Sequence, residues 1–155
     1  MRVGLCWAGS ASHRNDAVRS LTPGCLAPLL AVPGVAWVSV AKDAWTPEIG
    51  AAGLPDGLDG CKDWLDTAER IHTLDLIVTV DTAVAHVAGG LGIPVWLMLA
   101  AVPDMRWMLD RDDTPWYASA RLYRQQVVGE WMPVIHEVAA DLFIAATAHR
   151  LKEAA

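Results

Sequence analysis

The stretch LDLIVTVDTAVAHVAGGLGIPVWLML, Leu74–Leu99, decides the fold. Leu76–Val80 is a continuous apolar run, the mark of a strand covered on both faces. Val84, Val87, Ala88 and Leu91 follow at i, i+3, i+4 and i+7, predicting a helix that faces the sheet. Gly89, Gly90 and Gly92 let that helix pack closely and then stop, and Pro94–Leu99 is a second apolar strand. Asp81, Thr82 and His86 are the only polar side chains between Val80 and Gly89. They fall where a strand ends and a helix begins, a place where α/β proteins hold anionic ligands.

Working outward, Val3–Trp7, Val35–Val40 and Ala120–Tyr123 read as further strands. Thr22-Pro23 marks a helix start, with Leu26, Leu29 and Leu30 on its apolar face and Pro28 bending or shortening it. Residues 41–60 read mostly as loop. Asp66 with Glu69 forms a capping-box pattern ahead of Leu65, Ala68, Ile71 and Leu74 on one helical face. Pro133–Lys152 is a long amphipathic helix with Val134, Ile135, Val138, Leu142 and Ala145 inward. This alternation predicts an α/β fold with a doubly wound parallel sheet, in one domain spanning residues 1–155.

Composition narrows the function. At 155 residues and 54% hydrophobic, the chain has enough apolar material for a substantial core. The net charge of −6 argues against a nucleic-acid partner. Met1–Lys42 nevertheless carries four cations against one acid, while the remainder is net −9, a polarity suited to a small anionic ligand. Three scattered cysteines without a CxxC pattern read as reduced apolar thiols rather than a metal site. No secretory signal and no apolar run long enough to span a bilayer is visible, so the expected location is cytoplasmic.

If Asp81 or Thr82 caps the helix, the amides of Ala83 and Val84 lack helical partners and attract an anion. Thr82 can donate a hydroxyl hydrogen bond, and His86 rises over the same face one turn later. A simpler reading makes Asp81 and Thr82 helix caps and His86 a satisfied buried histidine. The loop after the first strand weighs against it. In a doubly wound sheet the first and fourth strand ends can open on one crevice, which would set Ser10, Ser12, His13, Arg14, Asn15 and Arg19 opposite the Asp81 turn. Arg14 and Arg19 could neutralise a diphosphate, with Lys42 adding a cation. The DxD spacing in Asp110-Arg111-Asp112 is too short to signify a metal site, GSAS at Gly9 is no P-loop, and Trp107, Trp116 and Tyr117 read as packing residues.

Taken together, VGLCWAGSASHRNDAVRSL, VSVAK, DTAERIHTLDLIVTVDTAVAHVAGGLGIPVWLML and VPDMRWMLDRDDTPWY resemble the carboxyl-terminal half of a GT-B glycosyltransferase. Among these enzymes the chain is most similar to bacterial tetratricopeptide-repeat glycosyltransferases, related to the family 9 heptosyltransferases and more distantly to O-GlcNAc transferase. The resemblance implies a domain that binds a nucleotide-sugar donor, without metal or further cofactor. It implies that Ser10, Arg14, Arg19, Lys42, Asp81, Thr82, Ala83 and His86 surround the donor, Arg14 or Arg19 neutralising the departing diphosphate. The implied partners are a nucleotide diphosphate sugar and an amino-terminal acceptor or tetratricopeptide-repeat domain, which this chain does not contain. Heptosyltransferases place glycine where this chain has Ala83, which counts against an ADP-heptose donor. The alternative is a non-catalytic module of the same fold that senses a nucleotide or serves only assembly.

Overall fold

A computed structural model of the chain describes residues 1–154. Five strands, β1 (Arg2–Cys6), β2 (Ala36–Ser39), β3 (Leu76–Val80), β4 (Val95–Leu99) and β5 (Ala120–Arg124), form one sheet in the order β2-β1-β3-β4-β5. Every neighbouring pair is parallel. β3 sits at the centre with all five residues buried, as its unbroken apolar run requires.

The helices are α1 (Asp16–Arg19), α2 (Ala27–Leu30), α3 (Pro47–Ala51), α4 (Trp64–His72), α5 (Ala83–Gly90) and α6 (Met132–Glu153). α6 packs on α2 and α4 on α5, and the fold is the expected doubly wound α/β architecture. No helix among the described residues is long and apolar enough to cross a membrane.

Several local expectations change. The strand that precedes Asp81 is the third, not the fourth, and it pairs directly with β1, Cys6 standing opposite Thr79. Thr22 does not cap a helix with its side chain. Pro23–Leu26 forms a 3-10 turn and α2 starts afresh at Ala27, because Pro28 has no N–H to continue a longer helix and fits only a first turn. The loop after β1 holds the one-turn α1. α4 starts earlier than the Asp66–Glu69 pattern suggests. Asp63 is the N-cap, its carboxylate accepting from the amides of Leu65 at 2.8 Å and Asp66 at 3.0 Å, while Asp66 accepts from the amide of Lys62. With that phase Thr67 and Ile71 face inward and Leu65 is exposed. On α5 the buried residues are Val84, Ala85 and Ala88, and on α6 Ala146 takes the buried place expected of Ala145.

A loop meets each edge of the sheet at one residue. The Ser39 amide donates to the Pro55 carbonyl, the Gly57 amide donates to the Ser39 carbonyl, and on the far side the Leu122 amide donates to the Asp112 carbonyl. Replacing the α4 cap, Asp63→Ala, is expected to lower stability by about 0.5–2 kcal/mol, read from the urea-unfolding midpoint. Glu69→Ala, which touches no cap, is expected to leave it in place.

Candidate functional site

The strand order reverses between β1 and β3: the chain leaves β1 toward β2 and returns to β3 on the other side. In open parallel sheets ligands bind outside the carboxyl ends of the strands at such a switch. Two segments leave the sheet there, residues 7–21 after β1 and Asp81-Thr82 after β3.

Arg19 ties them together. Its Nη1 donates to the Asp81 carbonyl at 2.7 Å, and its Nε lies 3.5 Å from the Asp16 carboxylate. The loop is braced for this. The Gly9 amide donates to Ser20 Oγ, Ser20 donates to Asp16, and the Leu21 amide donates to the Trp7 carbonyl. The guanidinium lies so close over Gly9 that a β-carbon there would collide with it. The side chain is only 18% exposed, so its charge is held in place rather than waving in solvent.

Thr82 has the extended backbone of an N-cap, but its side chain does not cap α5. Its hydroxyl lies 3.2 Å from Thr79 Oγ1 and 3.6 Å from Cys6 Sγ. Thr79 spends its own proton on the Val80 carbonyl, so Thr82 donates to Thr79. The Thr82 hydroxyl is thus engaged with Thr79 in this structure. The amides of Ala83 and Val84, at the first turn of α5, remain without a side-chain cap. Burial pushes the Cys6 thiol up, so the sulfur beneath them is the neutral form.

Two clefts meet over this turn. The first, of about 600 Å³, takes in Ser10, Lys42, Leu58, Lys62, Trp64 and Thr67. The second, of about 490 Å³, takes in His13, Asp81, His86, Pro103, Asp104 and Arg106. Arg19, Thr82 and Ala83 line both. Of the residues set opposite the Asp81 turn in the sequence, Ser12 and Arg14 stand apart: both are exposed and line neither cleft, the turn of α1 having carried Arg19 inward instead. The Asp110–Asp112 segment also lies outside both.

His86 is held on several sides. Trp107, buried, stacks on its ring at 5.3 Å between centroids, and Tyr117 Oη lies 2.9 Å from its Nδ1. Burial, and then the nearby Arg106 charge, pull its pKa below the ordinary imidazole value, outweighing the pull of Asp81 and Asp104 in the other direction. Trp107 is a packing residue, as expected, while Trp116 is exposed and donates through its indole N–H to the Arg106 carbonyl.

Lys62, Trp64 and Thr67 were missed because the helix start was placed three residues too late. An Asp63 cap puts all of them in or beside the first turn of α4. Arg106 and Asp104 were missed because they sit in an irregular charged stretch, where only the 3-10 turn Met105–Trp107 orders them.

The comparisons with known proteins add one relative. The chain is 30% identical over 150 residues to Protein FlbA of Caulobacter vibrioides, a match that takes in 91% of this chain and 25% of that protein. The chain thus spans about a quarter of the length of the curated relative it matches. No family model matches the chain, and no solved structure does.

Because the fold favours neutral His86, the unfolded chain takes up this proton first as the pH falls through about 6.5. The stabilisation is present above that pH and fades as the pH drops toward the lower folded-state value. Urea midpoints compared at pH 7.5 and pH 5 are expected to show a smaller acid loss in His86→Gln than in the unmodified protein.

Proposed function

We propose that this chain is the donor-binding domain of a glycosyltransferase of the GT-B type, and that it binds a nucleoside diphosphate sugar across its two clefts. The single observation that carries the reading is the Arg19–Asp81 link. It places a fixed cation beside two uncapped helix amides, at the point where both clefts meet. A diphosphate suits that combination: a fixed guanidinium charge, oriented backbone N–H groups and the positive end of a helix.

The two clefts suit the two ends of such a donor. The first has an apolar wall of Val40, Leu58 and Val84 and the half-exposed Trp64 indole, a surface on which a planar base can stack. The second is bordered by Asp81, His86, Asp104 and Arg106, groups that hydrogen-bond hydroxyls. Arg19 stabilises the negative charge that builds on the departing diphosphate, without a metal ion. In this reading Ser10 and Lys42 lie at the outer rim of the first cleft and Arg14 takes no part. An acceptor-binding domain, or a tetratricopeptide-repeat domain, supplies the other face of the active site. A relative four times as long as the matched stretch has room for one.

Calorimetric titration with UDP, GDP, ADP and their sugars is expected to show micromolar to millimolar binding of one nucleotide series. Arg19→Ala is expected to weaken it by about tenfold or more, in line with ~1.5–3 kcal/mol for a hydrogen bond to a charged group. Gly9→Ala, which displaces the guanidinium without removing it, is expected to weaken binding by a smaller factor, and Arg14→Ala to leave it unchanged. No binding of any nucleotide would reject the proposal. Binding with no transfer, when partner domains and acceptors are supplied, would favour a sensing module.

A further inference from the structure

Tyr117 belongs to the irregular connection between β4 and β5, yet it is fixed from both ends. Its carbonyl accepts from the Ala120 amide as β5 begins, and its ring lies against Gly89 of α5. The fit at Gly89 is so close that a β-carbon would strike the ring. Seated there, the phenol reaches back one helical turn to His86, Oη to Nδ1 at 2.9 Å. The two rings are tilted at 60° with centroids 5.8 Å apart, an edge-on approach that suits a hydrogen bond rather than a stack. Trp107 closes the flat side of the imidazole at an interplanar angle of 18°.

This leaves the imidazole one free polar atom, Nε2, on a residue that lines the second cleft. A neutral imidazole carries one N–H and one bare nitrogen, and which is which depends on the bond the other nitrogen makes. The phenol proton of Tyr117 has one acceptor among the described residues, His86 Nδ1. If the phenol donates, Nδ1 is bare and Nε2 carries the proton.

We propose that Tyr117 is a positioning residue: by donating to Nδ1 it holds His86 in the tautomer whose Nε2–H points into the second cleft as a donor to anionic or hydroxyl oxygen of the ligand. The device rests on the nucleotide-diphosphate reading for the identity of that ligand, but not for the tautomer. It explains the pairing of features around the ring. Gly89 admits the tyrosine, the tyrosine sets the proton, and Trp107 sets the plane. It also explains how a histidine without a carboxylate partner is kept in one form. Tyr117 touches no ligand itself, so its effect passes entirely through His86.

Two measurements on the full chain decide the matter. Imidazole ¹⁵N NMR is expected to find His86 protonated at Nε2 in the unmodified protein. In Tyr117→Phe, and separately in Gly89→Ala, that population is expected to fall in favour of the other tautomer, with circular dichroism unchanged. Titration with inorganic pyrophosphate is expected to show three- to tenfold weaker binding in Tyr117→Phe. The loss should vanish when His86 is already Gln, whose amide N–H needs no tyrosine to set it. An Nδ1–H tautomer in the unmodified protein, or a tautomer ratio unmoved by Tyr117→Phe, overturns the proposal. Failure of pyrophosphate to bind the unmodified protein counts against the nucleotide reading alone, and the NMR tautomer ratio then decides the role of Tyr117 by itself.

Discussion

The pairing of β1 with β3 is the constraint on which everything else depends. Because Cys6 lies in register with Thr79, the two strands end together, and the segments that leave them are brought to one place. The Arg19 guanidinium can then reach the Asp81 carbonyl across 62 residues of sequence. Had another strand come between them, the ~4.7–4.9 Å that each strand adds would have put the two segments about 10 Å apart. Thr79 and Thr82 serve the same junction from below, joining the floor of the site to the buried end of β3.

The site above that junction divides its labour between backbone and side chain. The uncapped donors are amides of the first turn of α5, fixed by the helix itself. The side chains nearest them are themselves held: Arg19 by Asp81 and Gly9, His86 by Trp107 and Tyr117, Thr82 by Thr79. Groups held before a ligand arrives need little ordering when it binds, which favours affinity and selectivity at a small polar site.

What the sequence disclosed follows from how each feature is encoded. β3, β4 and α6 are long apolar or periodic runs, and their bounds agree with the structure to within a residue or two. Asp81, Thr82 and His86 stood out because polar groups are rare in that run. Features set by hydrogen bonds rather than by periodicity were harder to see. The Asp63 cap competes with an equally good Asp66 pattern, and only the packing of Thr67 and Ile71 selects between them. Arg14 and Arg19 look alike in a loop of small residues, and only the turn of α1 tells them apart. The Tyr117–His86 contact joins residues 31 apart through a collision avoided at Gly89, a relation no local pattern carries.

The hydrogen bonds that Pro55, Gly57 and Asp112 make with the outer strands have a consequence for how the molecule meets others. An uncovered parallel edge is a template on which foreign chains can assemble by backbone alone, with little regard for sequence. Here loops of the chain itself engage both templates at Ser39 and Leu122. At these two points the backbone is already engaged, so a companion chain cannot lengthen the sheet there without displacing a loop.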